Sequence, residues 1–194
     1  GNCGPYLGFR MGGGTMVVKG SAGSWLGGEM KGGTIEVFGD AGDHVGALLR
    51  GERSARGMSG GIIVIHGSAG AEIGVGMRKG TIIVDGNCGP LPGLRMSGGG
   101  ILIRGDCEGK AGARMSGGRV VICGRAGGIL PTFYIDEVVP KVKFKKEKLE
   151  GPFYVFVGDA LANPACAGRL MVSVRSNPEL KKYEELLAIE GVEE

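Results

Sequence analysis

Gly20-Ser21-Ala22-Gly23-Ser24-Trp25-Leu26-Gly27-Gly28-Glu29-Met30-Lys31-Gly32-Gly33-Thr34-Ile35-Glu36-Val37-Phe38-Gly39 is one period of a repeat. Its frame, G-x-A-G-x3-G-x2-M-x2-G-x-I-x-V-x-G, recurs from Gly1 to about Gly128. Met11, Met30, Met58, Met77, Met96 and Met115 stand 19 residues apart except for one step of 28. A fixed period of this length is the mark of a solenoid. Nineteen residues are too few for a strand plus a crossover helix, so the frame predicts an all-β fold. The expected architecture is a single-stranded, right-handed parallel β-helix whose turns stack at about 4.8 Å, six or seven of them making a rod of roughly 30 Å.

Each period holds one strand with β-branched residues at alternate places, as at 34–38 and 81–85. Two columns must then point inward: Met16, Ile35, Ile63, Ile82, Ile101 and Val120, and two places on Val18, Val37, Ile65, Val84, Ile103 and Ile122. All are apolar, and the methionine column fills the gaps between corners. The small slot of G-x-A-G holds Cys3, Ala22, Ala41, Ala69, Cys88, Cys107 and Ala126, and exchange of Cys with Ala marks a small buried position rather than a reactive thiol. Cys88 and Cys107 fall on adjacent turns, within geometric reach of a disulfide that a reducing compartment would leave unformed.

The outward slot between the inner columns reads Val17, Glu36, Val64, Ile83, Leu102 and Val121. Five apolar residues where water is expected make a stripe that must be covered, either by the chain's own tail or by another subunit. The next outward column, Lys19, Phe38, His66, Asp85, Arg104 and Cys123, reads as ordinary surface, with His66 a solvated histidine that no sequence neighbour orients. Nine extra residues in one turn place Arg50, Arg53 and Arg56 in a loop at 47–57, where they form the second candidate contact. Val17, Val64, Ile83, Leu102, Val121 and these arginines are the candidate interface residues. A competing catalytic reading would use Asp43, His44 and the same arginines.

Composition bounds the rest. The 42 glycines have no G-X-Y register and alternate with residues that can be buried, so the chain is ordered and glycine-cornered. A net charge of +3 and a basic run at 141–148 broken by Val142, Phe144 and Glu147 argue against nucleic acid. Five cysteines without C-x2-C spacing and two histidines argue against a zinc site, and reduced thiols fit a cytoplasmic protein. No apolar run is long enough to span a bilayer. Gly1 occupies a turn-closing slot with no initiator methionine before it, so the chain is expected to begin after removed residues.

The repeat gives way after Gly128, dividing the chain into a β-helix at 1–130 and an extension at 131–194 that packs on or caps it. Strands are expected at 153–157 and 170–174. Asn177-Pro178-Glu179 reads as a capped helix start, with Leu180, Tyr183, Leu186, Leu187 and Ile189 as its apolar face. Glu108 stands where other turns carry a corner glycine, so that corner must tolerate a side chain or shift register.

The frame resembles the glycine-repeat β-helix shared by the carboxy-terminal part of glutamate synthase and the glycine-repeat subunit of formylmethanofuran dehydrogenase. Gly127-Gly128-Ile129-Leu130-Pro131, the charged Val/Lys segment, Gly151-Pro152-Phe153 and Phe156-Val157-Gly158-Asp159 are similar to the end of the formylmethanofuran dehydrogenase subunit. The resemblance implies a scaffold in archaeal-type one-carbon metabolism and methanogenesis, within a complex that reduces CO2 and formylates methanofuran. It places the molybdenum or tungsten pterin, the iron-sulfur clusters and the zinc centre in partner subunits, and it carries no catalytic, cofactor-binding or metal residue onto this chain. A formyltransferase/hydrolase complex with a similar glycine-repeat subunit, and a glutamate synthase domain, are the alternatives.

Overall fold

The 19-residue period becomes a vertical stack. The computed structural model describes residues 1–49, 56–160 and 165–190. Six strands, β1 (Thr15–Val18), β2 (Thr34–Val37), β3 (Ser59–Ile65), β4 (Lys79–Val84), β5 (Ser97–Ile103) and β6 (Gly117–Ile122), lie side by side in sequence order, each parallel to the next. A second face of every turn is tied by parallel bridges running Cys3, Ala22, Ala41, Ala69, Cys88, Cys107. The register is the one the frame dictates: Met16, Ile35, Ile63, Ile82, Ile101 and Val120 are successive partners.

Both aliphatic columns face inward. Apart from Met16 in the first turn they are buried, and Met30, Met58, Met77, Met96 and Met115 have no exposed surface. Each such side chain contributes about 1.5–3 kcal/mol of hydrophobic stabilisation. The corners that enclose this seam are tight. At Gly27, with φ of 59°, an added Cβ would stand 2.5 Å from the Ile63 Cδ1, so only glycine lets the corner close on the isoleucine column. The Glu108 corner keeps register: its amide donates to the Cys88 carbonyl at 3.1 Å, its side chain points to solvent, and Gly109 absorbs the local change with φ of 111°.

A parallel coil leaves an open rung at its end, and the tail fills it. Strand β9 (Gly168–Ser173) pairs parallel with β6, setting Leu170 on Val120 and Val172 on Ile122 as a seventh rung. β8 (Glu147–Gly158) then runs antiparallel to β9, and β7 (Tyr134–Phe144) antiparallel to β8, so the sheet order is β1-β2-β3-β4-β5-β6-β9-β8-β7. The strands expected at 153–157 and 170–174 overlap β8 and β9. The charged Val/Lys segment is itself a strand, β7, with Val142 and Phe144 inward and Lys141 and Lys143 outward.

Asn177 has a different role from the expected helix cap. Its side chain makes no cap hydrogen bond with the 3-10 helix at Pro178–Tyr183. Instead its Oδ1 accepts from the Ala126 amide at 2.8 Å, and its Nδ2 donates to the Gly124 and Ser173 carbonyls. In earlier turns the amide of the small slot donates to a carbonyl of the turn above, as Cys107 does to Arg125. Asn177 therefore supplies the acceptor that an eighth turn would have offered. The helix α1 (Glu184–Glu190) follows; Leu180 is buried and Leu187 packs on the core, but Leu186 is 51% exposed and leaves the expected apolar face, while the Ile189 side chain lies outside the described ones.

Candidate functional site: the outer face of the coil

Alternation along the strands sends three columns outward, and the hairpin of β7 and β8 lies over one end of them. Leu102 and Val121 have no exposed surface: they pack with Val142, Phe144, Leu149 and Phe153, with Ile83 and Met171 partly covered at the margin. Gly100 makes the seat. Where β1, β2 and β4 carry Thr15, Thr34 and Thr81, the missing side chain at Gly100 admits the Phe144 ring, which the Arg119 guanidinium covers from 5.4 Å. The stripe is thus closed at β5 and β6 by the chain's own tail. Leu102 and Val121 are intramolecular contacts, which corrects their place among the interface candidates.

At the other end the stripe stays open. Val17 is 53% exposed, Phe38 52% and Ile62 42%, and Val64 and Ile83 are half-buried. Ile62, Val64 and Ile83 form one apolar area on β3 and β4, and Val17 and Phe38 a second on β1 and β2, with Glu36 standing between Val17 and Val64.

The third column is a chain of charges. His66 Nδ1 stands 2.8 Å from Asp85 Oδ2, and its Nε2 2.9 Å from Glu36 Oε1. Both carboxylates can only accept, so the doubly protonated ring satisfies both contacts, and the pKa of His66 is raised, first by Glu36 and then by Asp85. Asp85 also accepts from Arg104 Nε at 2.9 Å, and Arg104 makes a two-pronged pair with Glu147 at the hairpin tip, at 2.8 and 2.7 Å. That pairing lowers the pKa of Glu147. His66 is therefore oriented by two acids, contrary to its reading as an isolated surface histidine. Glu36, His66, Asp85, Arg104 and Glu147 link β2 to the hairpin without a break.

Other candidates are placed apart from one another. Arg50 and Arg53 lie outside the described residues, and Arg56 is exposed. Asp43 accepts from the Ala71 amide at 2.7 Å, while His44 stacks on Trp25 at 4.6 Å and faces Glu72 at 3.4 Å, so Asp43 and His44 do not form a catalytic pair. A trough of about 960 Å³ runs beside them, lined by Asp43, Asn87, Cys88, Asp106, Cys107 and Glu179 among others. Cys88 and Cys107 are adjacent-turn partners but free thiols, 2% and 4% exposed, and burial raises the pKa of both. Among the described residues no three His, Cys, Asp or Glu side chains converge as metal ligands would, and no helix is long and apolar enough to cross a membrane.

With this geometry in view, a solved structure matches. A chain in the crystal structure of the formyltransferase/hydrolase complex (FhcABCD) from Methylorubrum extorquens, solved in complex with methylofuran, superposes with a TM-score of 0.70 at 29% identity. The chain is similar to a subunit of a one-carbon enzyme complex. The superposition covers 86% of this chain and 66% of that one, so this chain spans just under two thirds of its structural neighbour. No protein-family model matches the sequence, and no curated protein matches it.

One set of structural residues has no counterpart among the sequence expectations. The second position of each turn forms a polar spine in which a side-chain oxygen accepts the amide of the next turn: Asn2 from Ser21, Ser21 from Asp40, Asp40 from Ser68, Ser68 from Asn87, Asn87 from Asp106, and Asp106 from Arg125. The signal is present in the chain, because each of these accepting turns carries Asn, Ser or Asp at a position the frame treats as free.

Proposed function

We propose that this chain is a non-catalytic scaffold subunit of an assembly that handles the formyl group of a methanofuran-type carrier. The observation that carries the reading is the likeness to a chain of the formyltransferase/hydrolase complex. The physical support is the outer face. A rigid coil closes half of its apolar stripe with its own hairpin and leaves Val17, Phe38, Ile62, Val64 and Ile83 open, as a surface meant for another subunit would. Asp43 and Asp106 in the trough accept backbone amides of the next turn, and Cys88 and Cys107 are buried thiols whose pKa burial raises.

Two complexes fit. The formyltransferase/hydrolase form is favoured by the structural neighbour. The formylmethanofuran dehydrogenase form is favoured by the tail motifs 127–131, 151–153 and 156–159, and would add a molybdenum or tungsten pterin, iron-sulfur clusters and zinc, all in partner subunits. Purification of the native assembly through a tag on this chain tests both. Co-purifying subunits that hydrolyse or transfer the formyl group without molybdenum or tungsten support the first form; CO2 reduction with reduced ferredoxin supports the second. Recovery of the chain alone from its native cell, or unaltered assembly after V17K and V64K together, sinks the scaffold reading.

A further inference from the structure

The hairpin tip that borders the open apolar surface carries more positive charge than its fold requires. Lys141, Lys143, Lys145, Lys146 and Lys148 are all exposed. Among the described residues none is in an ion pair. Of the two acids beside them, Glu147 is turned onto Arg104, and Glu150 lies opposite Lys141 alone, so the tip lysines are not neutralised. Lys143 and Lys148 are directly opposed across the two strands, an arrangement that destabilises a hairpin.

The hairpin is held by other groups, since Val142, Phe144, Leu149 and Phe153 supply its buried face and Glu147 its clamp. Lysines on an edge strand also prevent strand-to-strand aggregation, and β7 is an edge. That accounts for Lys141 and Lys143. It leaves Lys146 at the turn and Lys148 on the inner strand β8 without a role in the isolated chain. The tip lies over β5 beside Ile83, the margin of the open surface.

We propose that this lysine tip is the charged wall of the docking surface and selects a partner subunit whose contacting face is acidic beside an apolar patch. The inference rests on the scaffold reading and adds the chemistry of the partner. Facing carboxylates would relieve the Lys143 and Lys148 repulsion and steer association, while the floor of Val17, Ile62 and Val64 would hold the complex once formed.

The test uses the native assembly stripped of this chain and rebuilt with variants. The triple variant K145E/K146E/K148E is expected to slow reassociation by on the order of tenfold or more and to flatten its salt dependence, with dissociation little changed. V64K is expected to speed dissociation instead. Unchanged association rate and salt dependence in the lysine variant, while V64K still weakens the complex, overturns the acidic-partner inference and leaves the scaffold reading standing. If neither variant has an effect, the scaffold reading falls and takes this inference with it. Self-association of the lysine variant with normal reassembly assigns the lysines to edge protection and likewise overturns the proposal.

Discussion

Replacing Gly100 with Val tests whether one missing side chain seats the hairpin. Gly100 has no positive φ to protect, so its backbone tolerates any residue and the effect is steric. A Cβ there would stand 3.0 Å from Phe144 Cε2 and 3.1 Å from Cζ, which the ring can relieve by a few tenths of an ångström. G100A should therefore cost about 1 kcal/mol. The γ-methyls of Val occupy the ring's own volume and expel it. Phe144, 1% exposed, would lose burial worth about 1.5–3 kcal/mol, and Val142 and Leu149 would lose part of theirs, for a total on the order of 3 kcal/mol. Urea unfolding gives the energy, and trypsin cleavage at Lys145 and Lys146 reports the hairpin directly, so G100V should be cut at the tip much faster than the parent. F144A alone should also destabilise, but G100V/F144A should fall well short of the sum, because the valine fills the space the ring vacates. Strict additivity, or a tip in G100V as resistant as in the parent, would refute the account.

Four further outcomes follow from the same geometry. N177A leaves the buried Ala126 amide without its acceptor and should cost about 2 kcal/mol in urea unfolding, with loss of hydrogen-exchange protection at Ala126. His66 binds its proton more tightly folded than unfolded, so its contribution to stability is complete below about pH 6.5 and fades as pH rises through the higher folded value; comparing unfolding of the parent with H66Q from pH 6 to 9 should show the difference shrinking, by a fraction of about 1 kcal/mol for so exposed a group. T81V removes a buried hydroxyl that has no partner among the described residues and should raise stability by about 1 kcal/mol in the same assay. In iodoacetamide labelling of the native chain Cys88 and Cys107 should stay unmodified while the half-buried Cys3 and Cys166 react.

Most of the coil is legible in the sequence because a 19-residue period fixes both which residue faces inward and which lies on the next rung. Ile63 sits between Ile35 and Ile82 for that reason alone. The same arithmetic, applied to polar residues, sets Asp85 one rung from His66, while Glu36, in register with Val64, reaches the ring diagonally. Neither acid is a sequence neighbour of His66, since in a solenoid the residues that touch are one period apart. β7 carries its strand signal in the alternation Lys141-Val142-Lys143-Phe144, which the density of charge masks. The docking of the hairpin lies beyond the sequence, because no period relates Phe144 to Gly100. Asn177 is hidden for a related cause: asparagine before proline is the local signal of a helix start, and the coil end that takes its side chain is 51 residues away.

Identical rungs spaced about 4.8 Å apart present a partner with a translational ambiguity, since a surface that fits one pair of turns fits the next almost as well. The bare backbone at Gly100 removes that ambiguity for the chain's own tail. Once the tail is seated, its tip stands over the rod like a registration mark on a ruler, from which any neighbouring molecule can count turns. A uniform staircase thereby acquires an origin.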